Sequence, residues 1–275
     1  LDLYNIKIKV YSMCHAQSVD KYDFTYPMRK WMRDYELGLD KVSTGIFVGS
    51  SIHKQQLKRA GFKSPIHTVS LPLGLDEVME RMNMNKKPKK NNSIIFSSRL
   101  DAEKQPEFML EVAEAFLKKN PDWKWYVTTS GKEFRSSIPN FVNKLKKKSK
   151  EIKNFYALSN LSKEEYYNKL KKAKIQFNCS LQDYVSWTLL EASTAGCDIC
   201  YPRFRSFPEC VPKDRLYEHQ NKTSALYLLN KMVNENDFRT HNMHTISNQG
   251  RLKEMEIMLK DIKTEYNIWK EYKII

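Results

Sequence analysis

"SLQDYVSWTLLEASTAG", residues 180–196, sets two carboxylates in an otherwise apolar and small-residue run. Asp183 precedes the run's best helix formers, and Glu191 lies among them, eight positions on. Eight positions cover a little over two helical turns, so Glu191 points back along one side toward the helix start. Trp187, Leu189 and Leu190 of the same run are expected to pack into a core. Charges in a buried-looking segment need partners, and the rest of the chain has to supply them.

The run sits inside an α/β alternation. "KIQFNCS" (174–180) reads as the strand before it and "DICYP" (198–202) as the strand after it. Upstream, "SIIFSSR" (93–99), "WKWYVTTS" (123–130) and "NFYALSN" (154–160) are extended, separated by the helical patterns "PEFMLEVAEAFLKKN", "IPNFVNKLKKKSK" and "SKEEYYNKLKKA". The last of these opens with a capping box, Ser162 to Glu165. Short connections between alternating strands and helices predict a doubly wound parallel sheet. An earlier, shorter series, "IKIKVYSM", "PMRKWMRDYELGL", "TGIFVGSS", "SIHKQQLKRAG" and "PIHTVSL", predicts a second parallel sheet. It holds only enough elements for the back half of such a domain. Together with an opening on Leu1 rather than Met, this leads us to expect that an N-terminal portion is missing, or else that the domain is unusually small. The polar stretch around Pro88 divides the two series. The expected organisation is residues 1–84 as the end of one Rossmann-like domain, 85–92 as linker, 93–249 as a complete one, and 250–275 as a helix returning toward the first.

The formal net charge is +15, with lysine clusters at 85–90, 144–153 and 169–174. Such an excess suits a polyanion, either nucleic acid or an anionic membrane surface, and equally suits solvated helix faces. The Lys, Asn and Ile bias points toward an AT-rich genome such as that of a phage. Five cysteines, an odd number, argue against a disulfide framework and for a reducing, cytoplasmic setting (host cytoplasm if viral). "CDIC" at 197–200 lacks a second ligand pair, so no metal site is expected there.

In an open parallel sheet, ligands sit beyond the carboxyl ends of the strands. Three such loops carry suitable groups: Arg99 and Lys104 after "SIIFSS", Asp183 and Glu191 after "KIQFNCS", and Arg203, Arg205 and Glu209 after "DICYP". Cations beside a helix N-terminus suit a diphosphate, and carboxylates suit sugar hydroxyls. On this reading Arg99 and Lys104 both face a phosphate.

In order and spacing these elements resemble the donor-binding domain of retaining GT-B glycosyltransferases of the family-4 type. "RLDAEK" (99–104) is similar to that family's R-L-x-x-x-K element, and "DYVSWTLLEASTAG" (183–196) to its acid, seven residues, Glu-Ala signature. "FPECV" and "LPLGLD" resemble two further family segments. The chain departs from the pattern at Gln105, where the family usually has glycine, and at Asp183, where it usually has Glu.

The resemblance implies two Rossmann-like domains, the first incomplete here, and transfer of a sugar from a nucleoside diphosphate with retention. UDP-glucose is the default donor, and no other cofactor is implied. Glu191 would hold the ribose hydroxyls and Asp183 the transferred sugar. Val185, Ser186 and Trp187 would add backbone N–H groups to Arg99 and Lys104 at the diphosphate. His15 matches the place of a histidine near the reacting sugar. Asp20, Tyr22, Asp23 and Arg29 would line the acceptor side. The basic surface slightly favours a hydroxymethylated base in DNA as acceptor, ahead of a saccharide or lipid-linked glycan at an anionic membrane. A degenerate GT-B fold serving as a nucleic-acid-binding or scaffold module is the reading of another class. Nothing marks an obligate protein partner.

Overall fold

The computed structural model describes residues 8–15, 17–70, 75–83, 89–129, 131–241 and 249–261. The chain divides into two units, Leu1–Leu73 with His244–Ile275, and Gly74–Met243.

In the first unit β1 (Tyr11–Cys14), β2 (Gly45–Val48) and β3 (Ile66–Thr68) form a parallel sheet in that order. Helices α1 (Arg29–Val42) and α2 (Ser51–Arg59) make the crossovers. Ile46, Val48, Leu57, Phe62 and Ile66 form its core. The buried face of α1 carries two acids, and each accepts two hydrogen bonds from a neighbouring loop. Glu36 accepts from Ser18 N–H and Oγ at 2.6 and 2.8 Å, and Asp40 from the N–H groups of Lys63 and Ser64 at 2.8 and 3.0 Å. Residues 249–261 are helical and are grouped with this unit, where Lys253 Nζ donates to the Thr68 carbonyl at 2.7 Å. Residues 262–275, the rest of the expected C-terminal helix, lie outside the described residues.

The second unit starts with α3 (Leu75–Met82), earlier than the boundary expected at 84. The reason is burial: Met82 packs with Ile95, Tyr167, Leu170 and Ala192, and Lys171 Nζ donates to its carbonyl at 2.7 Å. Of the expected linker, residues 85–88 lie outside the described residues, and Asn91 already belongs to a strand.

Six parallel strands follow: β4 (Asn91–Ser97), β5 (Lys124–Thr128), β6 (Phe155–Leu158), β7 (Ala173–Phe177), β8 (Asp198–Pro202) and β9 (Leu216–Tyr217). Their spatial order is β6-β5-β4-β7-β8-β9. The crossovers are α4 (Pro106–Lys119), α5 (Phe141–Glu151), α6 (Lys163–Lys172), α7 (Trp187–Thr194) and the one-turn α8 (Phe207–Cys210), with α9 (Lys222–Asn234) after β9. Successive side chains of a strand face opposite sides, and both sides here are covered. Ile94 and Phe96 join Phe116, Trp125, Phe177 and Leu229 on one face, while Ile95 joins Tyr167 and Ala192 on the other. The chain runs outward from β4 through β5 to β6, then returns to β7 on the other side. The loops after β4 and β7 therefore diverge and leave a crevice at the strands' carboxyl ends.

At the opposite end of β8 lies a buried charge network that the sequence did not suggest. Asp198 accepts from Arg215 Nε at 3.0 Å, the Arg239 N–H at 3.0 Å and His241 Nε2 at 2.8 Å, and both Asp198 and Arg215 are almost fully buried. Burial alone would raise the Asp198 pKa; the bonds from His241, Arg215 and Arg239 outweigh it and hold the carboxyl below its ordinary 3.8. Its stabilisation is therefore complete above that value and is lost as pH falls below it. Removing the charge leaves the Arg215 Nε facing a neutral group in the interior, with Asp214 and Asp237 as its remaining carboxylate partners. Asp198→Asn should lower unfolding free energy by about 3 kcal/mol in urea titrations at neutral pH. It should also weaken the acid-induced loss of stability below about pH 4.

Candidate functional site

The crevice at the β4/β7 divergence is a cleft of about 400 Å³. Ser97, Ser98 and Arg99 reach it from β4, Thr128 and Thr129 from β5, Lys163 and Tyr166 from the start of α6, and Thr188 and Glu191 from α7. Both helices are capped by serine. Ser162 accepts from Glu165 N–H at 3.1 Å while Glu165 accepts from Ser162 N–H at 2.7 Å, the expected capping box. Ser186 Oγ caps α7 through Leu189 N–H at 3.3 Å. Their caps fix where the two helices begin, and with them the positions of Lys163 and Glu191.

Glu191 is buried at the foot of the cleft, with its carboxylate held by three donors. Lys163 Nζ and Tyr167 OH bond Oε1 at 2.7 and 3.1 Å, and Tyr166 OH bonds Oε2 at 3.0 Å. Ser97, which lines the same cleft, accepts from Thr128 Oγ1 at 3.0 Å. Burial, then the Glu191 charge, pushes the Tyr166 phenol well above its ordinary pKa, which keeps it a neutral donor. Burial works to lower Lys163, but its bonds to Glu191 prevail and raise it, so it stays cationic.

The two cations expected at a diphosphate have different partners. Arg99 lines the cleft and is about half exposed, pairing with Asp101 at 3.1 Å and Glu103 at 2.6 Å. Lys104 is buried and turned to the loop after β7, donating to the Gln182 carbonyl at 2.7 Å and Asp183 Oδ1 at 3.1 Å. Two of its three N–H donors are used there, and they anchor Asp183. Gln105, at the family's usual glycine, has φ +47 and ψ +53, the left-handed region where glycine costs least.

Around Asp183, Val185 is half-buried and Ser186 buried, while Leu189 and Leu190 pack inward. Trp187 does not: it is 53% exposed, against the expectation of core packing. It is the first residue of α7, at the open end of the helix, whereas Leu189, Leu190, Glu191 and Ala192 lie deeper along it and are buried.

In the first unit, His15 is exposed at the end of β1. Nearby, His53 is fully buried, bonded through Nε2 to Gln17; burial and then the His15 charge push its pKa down to about 3. Asp20 and Asp23 are buried in turns. Asp20 accepts from Tyr22 N–H at 3.0 Å and Gln56 Nε2 at 3.2 Å, and Asp23 from Thr25 N–H and Oγ1 at 2.8 and 2.7 Å. Tyr22 is half-buried, and Arg29 is exposed over the Tyr26 ring at 4.3 Å.

Sequence reasoning missed Lys163, Tyr166 and Tyr167, whose stretch "SKEEYY" reads only as a capped helix start. Among the described residues no group of His, Cys, Asp or Glu could hold a metal ion, and no helix is long and apolar enough to cross a membrane.

The two cations should behave differently when neutralised. Lys104→Met strands Asp183 and should cost about 2–3 kcal/mol of stability, whereas Arg99→Met, at a half-exposed pair, should cost under about 1 kcal/mol. Urea denaturation of the two variants checks this.

No protein-family model matches the chain. Among curated proteins, tRNA-queuosine alpha-mannosyltransferase of Drosophila melanogaster is 26% identical over 135 residues, 49% of this chain and 34% of that protein. Among solved structures, a mutant of S. aureus TarM in complex with fondaparinux, alpha-GlcNAc-glycerol and UDP is similar, with a TM-score of 0.65 and 14% identity. That match covers 94% of this chain and 50% of that one. Sucrose-phosphate synthase from Thermosynechococcus elongatus is similar with a TM-score of 0.66 and 12% identity, covering 96% of this chain and 69% of that one. The chain thus spans about a third of the curated relative and half of TarM. What these likenesses establish is the fold, which is that of GT-B glycosyltransferases.

Proposed function

We propose that the protein is a glycosyltransferase that binds a nucleoside diphosphate sugar in the cleft between the loops after β4 and β7. The observation that carries this reading is Glu191: a buried carboxylate at the foot of that cleft, at the topological switch point, with Arg99 on the wall above it. Its oxygens suit the ribose hydroxyls, and a cleft of about 400 Å³ suits a nucleoside. The diphosphate then lies along Ser98, Arg99 and the N–H groups that open α7 at Val185 to Thr188. In transfer, the bond between the sugar's anomeric carbon and the β-phosphate oxygen breaks, and a bond to the acceptor oxygen forms as the acceptor hydroxyl loses its proton. Negative charge grows on the departing diphosphate, and the guanidinium and the helix end are placed to stabilise it. Asp183, held by Lys104, takes the hydroxyls of the transferred sugar. Retention of anomeric configuration rests on the family-4 resemblance. His15, Tyr22 and Arg29 keep the roles that resemblance gives them; Asp20 and Asp23, occupied in turns, drop out.

For the acceptor we propose a modified base in nucleic acid. Two things support it: the net charge of +15 and the curated relative's name, which specifies queuosine in tRNA. That name moves our preference from a hydroxymethylated DNA base to a hypermodified tRNA base, and it sets a mannose nucleotide beside UDP-glucose as donor.

Radiolabelled UDP-glucose and GDP-mannose, offered with queuosine-containing tRNA, hydroxymethylated DNA and a lipid-linked glycan, test both halves. Label should enter nucleic acid and fall steeply with added salt, as counterion release requires. Transfer to the glycan alone would overturn the acceptor, and transfer to none with either donor would overturn the enzyme. Glu191→Ala and Lys104→Ala should each reduce turnover at least ~10²-fold, since each removes a charge-assisted contact, at the donor or behind Asp183.

A further inference from the structure

Glu191 already holds more donors than a carboxylate binding a ribose can keep. Its two oxygens offer about four acceptor positions. Three are taken, by Lys163 and Tyr167 on Oε1 and by Tyr166 on Oε2. The 2′- and 3′-hydroxyls of a ribonucleotide bring two donors to a place with room for one. One of the three present donors has to leave.

They differ in what leaving costs. Tyr167 is buried, and the Tyr166 hydroxyl, held on Glu191 Oε2, lies where burial is the main cause of its raised pKa. Either phenol, pulled off Glu191, forfeits a hydrogen bond in a place water reaches poorly. Lys163 is the first residue of α6, and its side chain is 56% exposed. Its ammonium can swing into water and keep full hydration. The capping box that sets the helix start uses Ser162 and Glu165, so moving the lysine does not disturb it.

We propose that the Lys163–Glu191 ion pair is a latch that responds to the number of hydroxyls on the ligand's ribose. It stays closed over an empty cleft and over a ligand with one sugar hydroxyl, and opens only for a vicinal pair. The proposal rests on the reading of the cleft as a nucleotide site. It carries an unusual sign. A lysine acting simply as a positive charge near a diphosphate strengthens binding, and its removal weakens every nucleotide alike. A latch opposes ribonucleotides specifically, so its removal strengthens them and leaves deoxyribonucleotides where they were.

The test is calorimetric titration of the full chain with UDP, GDP and their 2′-deoxy counterparts, using wild type, Lys163→Met and Lys163→Met/Glu191→Gln, with Lys163→Gln as a second neutral variant. Each variant is first checked for a wild-type melting temperature. Lys163→Met should bind the preferred ribonucleotide about three- to five-fold tighter, the worth of a half-exposed ion pair, and its deoxy form within about two-fold of wild type. The gain should vanish when Glu191 is also changed. Weaker binding of both forms, or an equal gain for both, overturns the latch. Folded wild type and Lys163→Met that bind none of the four nucleotides overturn the nucleotide reading itself, and the latch with it.

Discussion

Parallel strands cannot be joined by a tight turn, so every connection in the second unit must cross a face of the sheet as a helix. Right-handed crossovers place successive strands on one side until the chain returns to the middle and continues on the other. Here that return falls between β6 and β7, which makes β4 and β7 neighbours whose outgoing loops part company. The cleft, its lining and the position of Glu191 all follow from that one reversal.

The cleft is lined by groups that hold one another in place. Thr128 bonds Ser97 across β5 and β4, and Lys163, Tyr166 and Tyr167 bond Glu191, so the carboxylate's position is tied to α6 as well as to its own helix. Such polar groups are tolerated in the interior because each finds a partner. Lys104 plays the corresponding part for the loop after β7. It reaches from the turn after β4 to fix Gln182 and Asp183, and the Leu181 N–H completes the tie by donating to the Glu103 carbonyl at 2.7 Å. The two segments with the strongest family likeness, 99–104 and 183–196, are therefore joined in space by a buried lysine.

Much of the fold was legible because its signals are local. Five of the six strands of the second unit lie within or beside a short β-rich run, β9 with its two residues being the exception, and the capping box at Ser162 marks where α6 starts. Glu191 was legible because eight positions of helix fix a direction. The partners of these groups were not, since they depend on which loops the sheet brings together. Nothing in "SKEEYY" says that its lysine and both tyrosines converge on an acid more than twenty positions on. Trp187 failed for a related reason: apolar character suggested burial, but it opens α7 and stays exposed while the residues deeper along the helix are covered. Asp20 and Asp23 looked available for a ligand, yet short-range bonds to nearby N–H groups already claim them.

Hydrogen exchange tests the central claim, that a nucleoside diphosphate sugar occupies the β4/β7 cleft of the second unit. Amides of folded protein exchange through local opening, and a bound ligand suppresses it where it is bound. With millimolar UDP-glucose or GDP-mannose, peptides covering residues 97–104, 162–167 and 183–191 should exchange more slowly, with those of the β6 and β9 edges unchanged. Protection confined to other parts of the chain, or none with either nucleotide, would contradict the account.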